Sequence, residues 1–214
     1  MLLFEFQATL MSTESPFVVL VSGGTASGKS SIVAQFVRKT GAAFIGHDRY
    51  YFDVPDPRGH DYDHPDSLDT DLLVSHVEQL RGGAVAALPV YDFATHTRQS
   101  RTESRSPAAL IVVEGILVMS DPRLCALADL CVFVEAPEPV RLSRRIARDV
   151  MERGRTEESV RTQYLATVKP NHDRYVQPSK SSADLLLNGC DSIDESVARL
   201  MDAVPESVLV RLFR

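Results

Sequence analysis

The chain has 214 residues, of which 44% are hydrophobic: enough for the core of one domain, yet too dispersed for any run to cross a membrane. A formal net charge of −6 excludes a general nucleic-acid binder, which draws its affinity from a basic excess. Cys125, Cys131 and Cys190 show neither C-x-x-C nor paired spacing, so no zinc or disulfide framework is expected and the chain reads as a protein of a reducing, cytoplasmic compartment.

The opening "MLLFEFQATL" is apolar but lacks a basic n-region and is a poor secretory signal. Met11 begins a second possible start, so residues 1–14 read as a loosely held extension and 15–214 as the domain. The next stretch, "VVLVSGGTASGKSS", sets a β-branched strand directly before a loop of the form G-x-x-x-x-G-K-S. In such a loop Gly23, Gly24, Thr25, Ala26, Ser27 and Gly28 turn consecutive backbone N–H groups toward phosphate oxygens. Lys29 adds a charge, and Ser30 offers a hydroxyl to magnesium. Ser31 continues into a helix with apolar Ile32, Val33, Phe36 and Val37, closed by Gly41. The helix turns its positive end toward the anion, so a nucleoside triphosphate such as ATP or GTP is the expected donor.

Downstream, "AAFIGH", "ALIVVEG", "DLCVFVEA" and "ADLLLNG" are short apolar runs, most of them separated by helical patterns such as 67–81 and 137–152. The alternation predicts an α/β fold with a doubly wound, mostly parallel sheet. Between 83 and 107, Gly, Pro and Thr break the helical pattern, and a β-hairpin arm inserted into the fold is expected. Ligands of open α/β sheets bind beyond the carboxyl ends of the strands, where Asp48 and Glu114 are delivered. One of these carboxylates can hold magnesium and the other can orient or deprotonate an attacking hydroxyl. Along 137–155, Arg141, Arg144, Arg145 and Arg148 share an arc of about 100°, while Leu142, Ile146 and Val150 lie on another face. Such a stripe usually faces solvent. Beside a triphosphate loop, Arg153 and Arg155 flanking Gly154 instead suggest a lid over 152–160 that closes guanidinium groups on the transferring phosphoryl group.

These blocks resemble the uridine–cytidine kinase family of P-loop nucleoside kinases over nearly all of residues 17–190. The resemblance is carried by "SGGTASGKSS", "HDRYY", "YDHPDSLD", "PVYDFATHTR", "VEGIL", "RLSRRIARDVMERGR" and "QYLATVKP", in the family's order. It implies the P-loop kinase fold and transfer of phosphate to the 5′-hydroxyl of uridine or cytidine, with Asp48 as base and Ser30 and Glu114 on the magnesium side. It further implies Asp63, Arg145 and Gln163 on the ribose hydroxyls, and Tyr51, Tyr91, Phe93, His96 and Tyr164 around the pyrimidine. Arg148, Arg153 and Arg155 would contact the donor phosphates, and the assembly would be a homotetramer subject to end-product inhibition. Residues 1–14 and the tail "SVLVRLFR" fall outside the resemblance. Arg49 and Tyr50 depart from the family pattern and read as solvent-facing, and the 52–61 connection is short, which bears on acceptor choice. A phosphoribulokinase-like or pantothenate kinase-like enzyme would share the loop and the carboxylate without needing the aromatic and His pocket. A nucleotide switch is disfavoured: "DPRG" at 56–59 lacks a preceding strand, and no N-K-x-D follows.

Overall fold

Alternate side chains of one strand serve two different cores. Val18 and Leu20 of β1 (Phe17–Ser22) are buried on one side of the sheet, and Val19 and Val21 on the other. A strand covered on both faces reads as a continuous apolar run, which is why these segments lack a polar alternation. A computed structural model describes residues 15–54 and 59–212. The expected extension 1–14 and most of the D-x-x-G stretch therefore lie outside the described residues.

The central sheet has five parallel strands in the order β2-β5-β1-β6-β7, with β2 at Ala43–Gly46, β5 at Leu110–Glu114, β6 at Leu130–Glu135 and β7 at Leu185–Asn188. Helices α1 (Lys29–Thr40), α7 (Ile193–Ala203) and α8 (Glu206–Leu212) cover the face carrying Val19 and Val21. Val208 of α8 is buried there, with Leu209 and Leu212 packed against the same cluster, so the tail outside the family resemblance joins the core over its described residues. Helices α2 (Thr70–Arg81) and α3 (Pro122–Leu127) cover the other face.

The predicted hairpin is present as β3 (Ala86–Asp92) and β4 (Thr97–Arg105), an antiparallel pair separate from the main sheet with an irregularity between Pro89 and Tyr91. Leu88 and Tyr91 anchor it in the core, while most of β4 is exposed. The helix expected over 67–81 starts only at Thr70, because Pro65–Ser67 forms a 3₁₀ turn and the Asp69 carboxylate accepts the Leu72 N–H (3.1 Å) as an N-cap.

Helix α4 (Glu138–Arg153) ends at left-handed Gly154, and α5 (Glu157–Gln163) begins after the Thr156 cap, which leaves 154–156 as the non-helical joint of the expected lid. From α5 the chain stays helical through π-helical Tyr164–Val168, the short α6 (Lys169–Asn171), π-helical His172–Val176 and 3₁₀ Gln177–Ser182. Paired π segments of this kind recur at functional sites.

Candidate active site

The phosphate loop leaves β1 and enters α1 through backbone conformations that side chains resist: Gly23 at φ 146°, Ala26 at φ 57° and Gly28 at φ 104°. Gly28 caps α1 without a side-chain hydrogen bond, and the first turn carries no acid, so the helix start presents its N–H groups and partial positive charge to the loop cavity. Close packing fixes the loop from outside. A Cβ on Gly24 would lie 2.6 Å from Arg141 Nη1, and one on Gly189, at the end of β7, would collide with the Ser27 carbonyl oxygen. Gly189 escapes a reading of the sequence because its partner is 162 residues away in the chain; an N-G pair at a strand end is its only signal.

Parallel pairing of β2 with β5 sets Gly46 opposite Glu114 and so brings Asp48, two residues on, to the same edge. Glu114 Oε1 accepts from Ser30 Oγ (3.2 Å) and lies 3.4 Å from Lys29 Nζ, so hydroxyl, carboxylate and ammonium converge at the loop's exit. A hydroxyl and one carboxylate suit a magnesium ion that takes its remaining ligands from substrate phosphates and water. Asp48 opens onto the cleft at its side-chain surface but lies deep among protein atoms. That depth, followed by the like charge on Glu114, raises its pKa from 3.8 to about 6, while Lys29 and Arg153 pull it down. A carboxylate tuned in this direction is matched to taking a proton near neutral pH. His47 beside it is buried, which lowers its pKa to about 4 and keeps it neutral.

Helix α4 inverts the usual amphipathic rule. Arg141, Arg145 and Asp149, four residues apart, are buried, whereas Val150 and Met151 are exposed. Of the basic stripe, Arg141 and Arg145 are buried while Arg144 is exposed. Arg145 donates to Thr25 Oγ1 of the phosphate loop (3.0 Å) and to Gln163 Oε1 (3.1 Å). Arg148 holds Asp149 at 2.8 Å, and Arg153 and Arg155 approach the same carboxylate at 3.5 and 3.7 Å. Arg144 turns aside to donate to the Gly189 carbonyl (2.9 Å).

On the acceptor side, Tyr51 packs against Tyr91 (5.5 Å between ring centroids) and edge-on against Tyr62 (5.4 Å). Tyr91 meets Phe93 at 5.1 Å, and Tyr62 stacks on His96 at 4.9 Å. His96 sits at the hairpin turn with φ 56°, a left-handed conformation that His adopts more readily than most residues. Asp63 is buried, and that burial raises its pKa against the opposing pull of Arg145. Tyr62, next to Asp63, is a member of this wall that motif reading passed over.

Tyr164 is not brought to the ring cluster. It is buried in the first π segment with Arg141, Glu138, Lys169 and Asp173 as its charged neighbours. Nor do Arg49 and Tyr50 face solvent as expected. Arg49 reaches Glu103 of the hairpin (2.7 Å), and Tyr50 fills the core, its hydroxyl 2.9 Å from His76 Nδ1. Both corrections come from contacts distant in sequence: the hairpin reaches Arg49, and α2 receives Tyr50.

A complete phosphate loop, two carboxylates at adjoining strand ends and an arginine layer above them define a P-loop kinase. The chain belongs to the phosphoribulokinase / uridine kinase family, whose model matches residues 55–196. Among curated relatives, it is 42% identical to a uridine kinase of Chloroflexus aurantiacus over 88% of this chain and 96% of the relative. It is 38% identical to a uridine kinase of Lactococcus lactis subsp. cremoris over 86% and 97%. A phosphoribulokinase from Rhodobacter spheroides shares the fold, with a TM-score of 0.64 at 17% identity over 81% of this chain and 70% of that one.

Proposed function

We propose that the protein transfers the γ-phosphoryl group of ATP or GTP to the 5′-hydroxyl of uridine or cytidine, as a pyrimidine-salvage kinase. The observation that carries this reading is the position of Asp48 between the loop exit, at Lys29 and Glu114, and the wall of Tyr51, Tyr62, Tyr91 and His96. A flat pyrimidine needs an apolar slot with polar groups at its edge, and the rings supply both. A sugar phosphate has no use for that slot and needs cations where this wall is aromatic, which disfavours the phosphoribulokinase-like alternative.

In this reading Asp48 takes the proton of the 5′-hydroxyl, Asp63, Arg145 and Gln163 hold the ribose, and Lys29 with Arg148, Arg153 and Arg155 neutralises charge on the transferring group. Ser30 and Glu114 would hold magnesium, which supplies charge neutralisation across the donor phosphates. The test is release of ADP over a panel of uridine, cytidine, 2′-deoxyuridine, ribulose 5-phosphate and pantothenate. Turnover is expected with the two ribonucleosides and reduced about 10- to 100-fold with 2′-deoxyuridine, which leaves buried ribose partners unpaired. Turnover of ribulose 5-phosphate in preference to uridine would reject the reading.

A further inference from the structure

Asp149 has no place in the catalytic scheme above, yet it is completely buried and four guanidinium groups surround it. Arg145 and Arg155 approach its Oδ2 at 3.6 and 3.7 Å, and Arg148 and Arg153 approach Oδ1 at 2.8 and 3.5 Å. Its backbone carbonyl also caps the joint after α4, accepting from the N–H groups of Gly154 and Arg155. Lone buried carboxylates are costly, and so are clustered guanidinium groups without a counter-ion. Here each relieves the other, leaving a surplus of three positive charges beside a loop built for a polyanion.

Two of these arginines lead elsewhere. Arg145 and Arg155 both donate to Gln163 Oε1, at 3.1 and 2.5 Å, and Arg145 also donates to Thr25 of the phosphate loop. An unbroken chain of polar contacts therefore runs from the phosphate loop through Arg145 and Asp149 to the lid joint, and through Gln163 to the ribose side. Gly154, at φ 63°, marks the point where the lid segment can turn relative to α4.

We propose that Asp149 is a positioning residue that couples the two substrate sites: by tying Arg145 and Arg155 to one carboxylate, it makes nucleoside binding and triphosphate binding favour the same lid arrangement. The inference rests on the proposed nucleoside kinase activity and goes beyond it, because neither substrate touches Asp149. Coupling of this kind is reciprocal, so each substrate tightens the other by the same factor.

The experiment measures uridine binding by calorimetry with and without adenosine 5′-(β,γ-imido)triphosphate and magnesium, and the analogue with and without uridine. The proteins compared are wild type, Asp149→Asn and Arg155→Ala at matched far-ultraviolet circular dichroism. In wild type each ligand is expected to tighten the other about 5- to 50-fold, a range typical of coupled sites. In both variants the factor falls below about twofold, whatever happens to the separate affinities; a side chain that only supports the fold would weaken both ligands and leave their ratio unchanged. If Asp149→Asn fails to fold, Arg155→Ala, which removes the partly exposed one of the two arginine links between Asp149 and Gln163, decides alone. Full coupling in a folded variant, or a wild type that binds both ligands independently, overturns the inference. A wild type that binds the analogue but no uridine instead overturns the activity on which it rests.

Discussion

The donor and acceptor halves of the site are built on opposite plans. In the proposed reading the phosphate-binding part of the donor half is one continuous segment, Gly23–Ser30, whose chemistry lies mostly in backbone N–H groups and whose shape is locked by Gly189 and Arg141 pressing from outside, with Glu114 and three arginines added from elsewhere in the chain. The proposed acceptor half is gathered from segments around residues 48–51, 62–63, 91–96 and 163, and its chemistry would lie in side chains at different distances along the chain. A contiguous backbone site tolerates little variation. A mosaic of side chains can change its ligand one residue at a time.

That contrast breaks most sharply at the junction of the halves. Asp48→Asn is expected to lower turnover by about 10²–10⁴-fold while the Michaelis constant for ATP changes little, because a base acts on proton transfer rather than donor binding. Its ionised form prevails above its raised pKa of about 6, so kcat/KM of the wild type should fall as the pH drops through that value. The residual activity of Asp48→Asn should lack this limb. Loss of ATP affinity in the variant would instead make Asp48 a metal ligand.

On the donor side, Lys29→Ala is expected to lower turnover about 10²–10³-fold by removing a charge aimed at the transferring group. It also leaves Glu114 without its 3.4 Å partner, so any acid limb in the residual activity should move to higher pH, as Lys29 is one of the groups holding Asp48 down. Near-normal turnover would count against the whole donor assignment.

Effects confined to the acceptor half should be smaller and selective. For His96→Ala we expect a 5- to 150-fold loss in kcat/KM for uridine, about 1–3 kcal/mol, with the ATP Michaelis constant unchanged. Equal weakening of both substrates would mean that His96 only packs the hairpin turn. Arg49→Ala, which removes a partly solvated pair with Glu103, should cost less than about 1 kcal/mol of stability in chemical denaturation. A larger loss would show that the hairpin depends on that pair for docking.

The same contrast explains what was legible in the sequence. Strand runs, the phosphate loop, Asp48 and Glu114 announce themselves because each is encoded within a few neighbouring residues. The hairpin could be read from its breakers but not its docking, so the burial of Tyr50 and the reach of Arg49 to Glu103 could not be foreseen. Helix α4 is harder to read for a different reason: hydropathy assigns Val150 inside and Arg145 outside, and the burial of Arg141, Arg145 and Asp149 reverses that order. Asp149 carries a faint local signal, an acid four residues from both Arg145 and Arg153. Tyr164 was assigned with its motif, whereas the π-helical turn that begins at it sets its side chain toward Arg141 and Lys169.

The contact between Gly189 and the Ser27 carbonyl sets an order of events during synthesis. The phosphate loop leaves the ribosome well before the surface that shapes its outer side, the end of β7, some 160 residues further along the chain. A nascent chain shorter than about residue 190 carries the motif without the wall that completes it. In the proposed kinase, tight triphosphate binding would therefore wait for β7, by which time the segments carrying the proposed acceptor groups have already been made.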